Sequence, residues 1–134
     1  MSAISPTTPQ VAQLENTFCG AHGLSLFYQA WYPLDTAKAV VALVHGFGEH
    51  CDRYSTVTTA LTQAGYAVFG FDNQGHGRSE GQRGHINRWR DYRDNVHAFL
   101  AQVRHHEPTL PLFLLGHSLG GLIVLDFTLN SPQG

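Results

Sequence analysis

The chain has 134 residues, of which 43% are hydrophobic and 13% charged, and its formal net charge is −2. This composition predicts one globular domain with a single core and excludes a disordered chain. The basic residues alternate with acidic ones, as in RWRDYRD, so no basic face predicts a nucleic-acid partner.

The first 14 residues are polar and rich in proline, and we predict that they form a flexible segment ahead of a domain at 15–134. The opening MSAISPTTPQ has no basic and apolar regions of the kind found in a signal peptide. No apolar run is long enough to cross a membrane, although transient contact with a membrane surface stays open. Cys19 and Cys51 stand apart in the sequence, which favours a reducing compartment and predicts a cytoplasmic protein.

The sequence of the first half of the domain predicts three strands and one helix. Two strands surround a turn at Gly20–Gly23 and end at Pro33. The valine-rich AKAVVALV is typical of a strand that is buried on both faces of a parallel sheet. Val57, Leu61 and Ala64 then recur at helical spacing, and Gly65 is a typical helix stop.

The second half repeats the strand–helix pattern twice. The strand AVFGF precedes a helix over 88–106, for which Asn87 is the expected N-cap. The strand LFLLG and the helical LGGLIVLDFTLN follow. This alternation predicts an α/β fold with a mostly parallel sheet and helices on both faces. Glycine-rich loops after Val44, Phe71 and Leu115 would meet at the carboxyl edge of that sheet, where ligands bind.

Ser118 is the candidate nucleophile, because GHSLG matches the G-x-S-x-G elbow between a predicted strand and a predicted helix. A sharp turn pushes the serine hydroxyl outward, and glycines at 116 and 120 remove the side chains that would collide there. The alternative is a serine that only caps the following helix.

The loop HGFGEHCDRY is the candidate oxyanion loop. Acyl transfer needs two backbone N–H donors, one from the residue after the nucleophile and one from such a loop. Leu119 and Phe47 are the expected donors, whereas an ordinary strain-relieving loop is the alternative. No recognised spacing supports a metal site at His45 with its neighbours, and we interpret His45 as a residue that holds the loop. We expect no cofactor.

Together, HGFGEHCDRY, FDNQGHGRSEGQRGHI and GHSLGG resemble the α/β hydrolases of the monoacylglycerol lipase and lysophospholipase-like group, also called serine aminopeptidase S33. The resemblance covers about residues 15–134 and implies the N-terminal half of the hydrolase fold. It implies an esterase that acts on a small acyl ester or lipid through Ser118, with Glu49, Arg53 and His117 at the polar end of the substrate. From the residues alone, an ion pair between Glu49 and Arg53 is an equal alternative.

The middle segment DNQGHGRSEGQRGHI is interpreted as structural. Asp72 ends a strand, and several glycines punctuate the loop that follows it. We expect His76, Arg78 and Ser79 to hold this loop in place. Ser79 is not a candidate nucleophile, because no elbow sequence surrounds it.

In this fold the acid and the histidine base follow the serine along the chain. After Ser118 the sequence holds one acid, Asp126, and no histidine. Asp126 falls about two helical turns from Ser118, roughly 12 Å away, so it is not the triad acid. We therefore expect a domain truncated before its acid, lid and base regions, and inactive as these 134 residues alone.

The last predicted strand would then have one bare apolar edge, which predicts self-association. The sequence leaves two alternatives to the esterase. One is a non-catalytic half-fold that binds a partner, and the other is a peptidase or thioesterase of the same fold.

Overall fold

The computed structural model describes residues 12–130. In chain order the elements are β1 (Leu14–Cys19), β2 (Ser25–Trp31), β3 (Val40–Val44), α1 (Ser55–Gln63), β4 (Ala67–Phe71), α2 (Trp89–His106), β5 (Leu112–Gly116) and α3 (Leu119–Asn130). Short 3₁₀ helices occupy Ala21–Gly23 and Cys51–Tyr54. Most of the predicted flexible segment, residues 1–11, lies outside the described residues, and β1 already begins at its last residue.

The five strands form one sheet in the order β1-β2-β4-β3-β5. β1 and β2 form an antiparallel hairpin, and β2 also runs antiparallel to β4. β3 is parallel to both β4 and β5, with Val44 opposite Phe71 on one side and opposite Gly116 on the other. The predicted α/β class is confirmed, and the carboxyl ends of these three strands lie side by side.

Helices cover both faces of the sheet. Successive side chains of β4 point to opposite faces, so Phe69 joins the main core beneath α2 while Val68 joins a smaller cluster beneath α1. In the main core, the rings of Phe71 and Phe99 lie 4.5 Å apart between centroids. β3 and β4 are buried throughout, as their continuous apolar sequences predict.

Two details of the helices differ from the sequence prediction. α2 begins at Trp89, after an extended Arg88 that makes no side-chain cap bond. The predicted cap Asn87 instead accepts a hydrogen bond from His85 Nε2 at 2.8 Å, so its oxygen is not used at the helix end.

In α1 the fully buried residues are Thr58, Thr59 and Thr62, whereas the predicted apolar position Ala64 is exposed. The Thr62 hydroxyl donates to the carbonyl of Thr58 at 2.8 Å. Because such bonds satisfy the hydroxyl within the helix, a threonine can present its methyl group to the core.

Side-chain hydrogen bonds hold the glycine-rich loop after β4 against the rest of the fold. Asp72 accepts hydrogen bonds from the backbone N–H groups of Cys51 at 2.7 Å and Arg78 at 2.9 Å. The Ser79 hydroxyl accepts from the Phe27 N–H at 2.9 Å and is buried. These contacts support a structural interpretation of this loop.

β5 lies at the edge of the sheet that residues 12–130 form. On the face opposite the main core, β5 exposes 58% of Phe113 and 41% of Leu115. The adjoining α3 exposes three leucines as well, at positions 122, 125 and 129. Within the described range, no helix is both long and apolar enough to cross a membrane.

Candidate active site

Ser118 occupies the turn between β5 and α3, and its backbone has a φ of 58°. A non-glycine residue seldom adopts this left-handed conformation, which costs about 1–3 kcal/mol and marks functional turns. The serine is exposed at the carboxyl edge of the sheet. This is the conformation that a nucleophile elbow requires.

The glycines of the elbow are required by close backbone contacts. A Cβ on Gly116 would stand 2.7 Å from the Gly121 Cα, and a Cβ on Gly120 would stand 2.7 Å from the His45 carbonyl oxygen. Real Cβ atoms do not approach backbone this closely. The turn can therefore form against β3 only where these side chains are absent.

The loop after β3 lies directly beside the elbow. The His117 N–H donates to the Val44 carbonyl at 3.2 Å, which ties the elbow to the end of β3. A Cβ on Gly46 would stand 3.2 Å from Ser118 Cβ. The Phe47 side chain is exposed, and its ring meets His76 edge-on at 5.4 Å. The two predicted glycine-rich motifs are thus neighbours in space.

The two expected oxyanion donors are backbone N–H groups of residues beside Ser118. Leu119 is the first residue of α3, where an N–H has no partner within the helix. Among residues 12–130, neither the Leu119 nor the Phe47 N–H donates a hydrogen bond. Both donors are therefore available to a ligand, and the start of α3 adds partial positive charge there.

Glu49 is the centre of a polar network beside the elbow. Its Oε1 accepts hydrogen bonds from the Gly46 N–H at 2.8 Å and from the Tyr54 hydroxyl. The His117 Nδ1 lies 3.5 Å from the same oxygen and 3.2 Å from the Tyr54 hydroxyl. Hydrogen bonds from Tyr54 and Gly46 lower the pKa of Glu49 to about 2, and burial next to Glu49 raises the pKa of Tyr54 to about 12.

Arg53 does not join this network through an ion pair. It lies exposed in the 3₁₀ helix at Cys51–Tyr54, and within residues 12–130 it makes no salt bridge to Glu49. The structure therefore does not contain the ion pair that was the alternative for these two residues. The sequence assigned no role to Tyr54, although it follows Arg53 directly in the motif.

Asp126 is engaged away from Ser118. The Arg93 side chain donates two hydrogen bonds to its carboxylate, at 2.9 and 3.1 Å, and these lower the pKa of Asp126. This contact joins α2 to α3 and accounts for the acid as a structural group. In the part of the chain that the structure describes, no three potential ligand side chains cluster closely enough to hold a metal ion.

Several known lipases are similar to this chain in sequence or structure. A monoacylglycerol lipase of Mycolicibacterium smegmatis is 36% identical over 118 residues, which cover 88% of this chain and 42% of that protein. The mouse monoglyceride lipase is 39% identical over 112 residues, covering 84% of this chain and 37% of the enzyme. A crystal structure of Saccharomyces cerevisiae monoglyceride lipase with a substrate analogue superposes with a TM-score of 0.75 at 27% identity, covering 92% of this chain and 40% of that one.

The chain thus spans about two fifths of the length of these relatives. The family described as serine aminopeptidase, S33, matches residues 35–134, a range that contains both the candidate oxyanion loop and the turn at Ser118. The fold and the motifs agree with that match, and the chain belongs to the serine aminopeptidase S33 family of α/β hydrolases.

Proposed function

We propose that this protein is a serine hydrolase of carboxylic esters, of the monoacylglycerol lipase or lysophospholipase type. The observation that carries the proposal is the left-handed φ of Ser118, 58°, beside the Gly46 backbone. A serine that only caps a helix does not need this strained conformation. In a nucleophile elbow, the same conformation presents the hydroxyl to a bound acyl group. The names of the relatives, monoacylglycerol lipase and monoglyceride lipase, favour a lipid ester.

In the proposed reaction, the Ser118 oxygen attacks the ester carbonyl carbon while a histidine base takes the hydroxyl proton. The carbonyl oxygen becomes an oxyanion, which accepts hydrogen bonds from the Phe47 and Leu119 N–H groups. The alcohol then leaves with the proton, and water hydrolyses the acyl-enzyme in the same manner. One lost oxyanion donor would cost about 3 kcal/mol of transition-state stabilisation.

We assign the polar end of the substrate to Glu49, Arg53 and His117. The internal hydrogen bonds to Glu49 fall on Oε1, so Oε2 is the oxygen that we assign to a substrate hydroxyl. A carboxylate with a pKa of about 2 accepts hydrogen bonds at any physiological pH. Arg53 is exposed, so it can reach a polar head group or the headgroups of a membrane surface.

We further propose that these 134 residues alone do not turn over esters. No histidine follows Ser118 in the sequence, and Asp126 is engaged by Arg93. Loss of the base costs about 10⁶ in kcat in a serine protease. We also infer a cytoplasmic location and no cofactor, as the cysteine spacing and the motifs suggest.

The test uses the complete gene product and a fluorophosphonate probe, which reacts with activated serines. We expect labelling that Ser118→Ala abolishes, together with hydrolysis of monoacylglycerols or lysophospholipids. Equal labelling of Ser118→Ala would refute Ser118 as the nucleophile. Preferred cleavage of aminoacyl-naphthylamides would instead identify a peptidase, and a stable protein complex without any esterase activity would identify a binding module.

A further inference from the structure

The peptide unit between Gly46 and Phe47 is held from its carbonyl side by a buried histidine. His45 Nδ1 lies 2.7 Å from the Gly46 carbonyl oxygen. On the other side of the ring, the Asn73 backbone N–H donates to His45 Nε2 at 2.8 Å. The imidazole is fully buried, so neither bond competes with solvent.

These two contacts define the tautomer of the ring. A backbone N–H can only donate, so Nε2 must be the nitrogen without a proton. The neutral ring then carries its proton on Nδ1 and donates it to the Gly46 carbonyl. Burial lowers the pKa of His45, which favours this neutral form.

The position of that carbonyl determines where the next N–H points. The peptide unit is planar and trans, so the Gly46 carbonyl and the Phe47 N–H lie in one plane and point in opposite directions. The Gly46 N–H is held as well, by Glu49 at 2.8 Å. The Gly46 carbonyl also accepts a hydrogen bond from the Glu49 N–H, at 3.2 Å, which is longer than its 2.7 Å contact with His45. The loop has glycines at 46 and 48, and Gly48 has a φ of 75°, so the torsional preferences of the chain restrict this peptide weakly.

We propose that His45 is a positioning residue for the oxyanion hole, which holds the Gly46 carbonyl so that the Phe47 N–H faces the oxyanion. The inference rests on the proposed function, since it assigns the Phe47 N–H to the reaction. Asn73 completes the arrangement, because its N–H fixes the ring and its side-chain amide donates to the His45 carbonyl at 3.0 Å. His45 acts through the backbone and does not touch the substrate.

Two substitutions separate this role from general support of the fold. His45→Asn keeps a donor near the position of Nδ1, and His45→Gln keeps an acceptor near the position of Nε2. Each variant loses one of the two buried hydrogen bonds. The measurement is the rate of fluorophosphonate labelling of Ser118 in the complete gene product, with reversible probe affinity determined separately.

We expect His45→Gln to label about 10²-fold more slowly than the wild type at similar reversible affinity, as expected for a lost oxyanion donor. His45→Asn should stay within about tenfold of the wild type, because the donor to Gly46 remains. Equal rates in the two variants would overturn the inference while leaving the proposed function intact. A wild type that does not label would instead refute the proposed function, and with it the role of His45.

Nitrogen NMR of the wild-type protein provides a readout that needs no variant to fold. The inference requires a His45 ring with a protonated Nδ1 and an unprotonated Nε2. A ring protonated on Nε2 could not donate from Nδ1 to the Gly46 carbonyl, and this result would overturn the inference.

Discussion

Gly46 lies against Ser118, and a Cβ built on the glycine would stand 3.2 Å from the serine Cβ and 3.1 Å from the His117 carbonyl oxygen. Two loops that are about 70 residues apart in the sequence therefore form one surface. The parallel pairing of Val44 with Gly116 brings them together, since both loops leave the sheet at its carboxyl edge. The proposed oxyanion site depends on this close approach.

Gly46→Ala should therefore reduce reactivity more than stability. The added methyl group would also stand 3.0 Å from the Glu49 carboxylate, so it would push the loop away from the elbow. We expect a loss of about 1–2 kcal/mol in the free energy of unfolding and about 10²-fold slower fluorophosphonate labelling. Labelling at the wild-type rate would show that the loop does not contribute to the site.

Gly120 and Gly121 form a matched pair that tests the packing of the elbow on β3. A Cβ on Gly120 would clash with the backbone carbonyls of Val44 and His45, whereas a Cβ on Gly121 would have its nearest contact at 3.5 Å. Gly120→Ala should lower the free energy of unfolding by about 3 kcal/mol or more. Gly121→Ala should raise it by about 0.5–1 kcal/mol, because alanine favours a helix. Urea unfolding of both variants measures the difference, and similar effects would contradict the close packing of Gly120 on β3.

The strained backbone of Ser118 predicts an unusual ranking of two variants. Glycine adopts a φ of 58° without steric cost, whereas alanine does not. Relief of the strain should contribute about 1–2 kcal/mol, and the greater freedom of the unfolded glycine chain should offset part of it. We expect Ser118→Gly to be more stable than Ser118→Ala by about 0.5–1 kcal/mol in thermal unfolding. The reverse order of stability would indicate that the backbone of residue 118 has the right-handed helical conformation instead of the left-handed one.

The lowered pKa of Glu49 predicts that the folded protein loses stability in acid. Its pKa falls from 4.5 to about 2 in the folded protein, so the folded state favours the ionised carboxylate. This contribution is complete above pH 4.5 and is lost as the pH falls towards 2. Glu49→Gln should therefore make the free energy of unfolding decline less steeply between these pH values.

The matched control for this pH dependence is Tyr54→Phe. It removes the strongest of the hydrogen bonds that lower the pKa of Glu49 and keeps the carboxylate. The fall in its free energy of unfolding with decreasing pH should be intermediate between those of the wild type and Glu49→Gln. An unchanged slope in Glu49→Gln would mean that Glu49 titrates with its ordinary pKa.

The sequence predicted the elbow and the fold because both leave recognisable patterns in short stretches of the chain. The glycines around Ser118 lie within one short motif, and the apolar runs of β3 and β4 indicate strands buried on both faces. The proximity of the two glycine-rich loops followed from the parallel topology alone. Such features can be read from one sequence, since no distant side chain decides them.

The polar contacts around the site could not be predicted in the same way. Tyr54 reaches Glu49 across a 3₁₀ turn, and Asn73 reaches His45 from a different strand end. These bonds depend on side-chain directions that the fold determines. The buried Thr58 and Thr62 of α1 differ from the apolar spacing for a related reason, because their hydroxyls donate to carbonyls within the helix.

The edge of β5 predicts the solution behaviour of the 134-residue chain. Phe113 and Leu115 are exposed on a strand that pairs with β3 on one side, and an apolar edge of this kind promotes association between chains. Phe113→Lys should lower the apparent mass in sedimentation at a given concentration, because a charge at the edge opposes strand pairing. Leu34→Lys is the control, since Leu34 is 79% exposed but lies in a loop, and it should change nothing. A wild-type chain that sediments as a sharp monomer and unfolds cooperatively would show that this edge does not drive association.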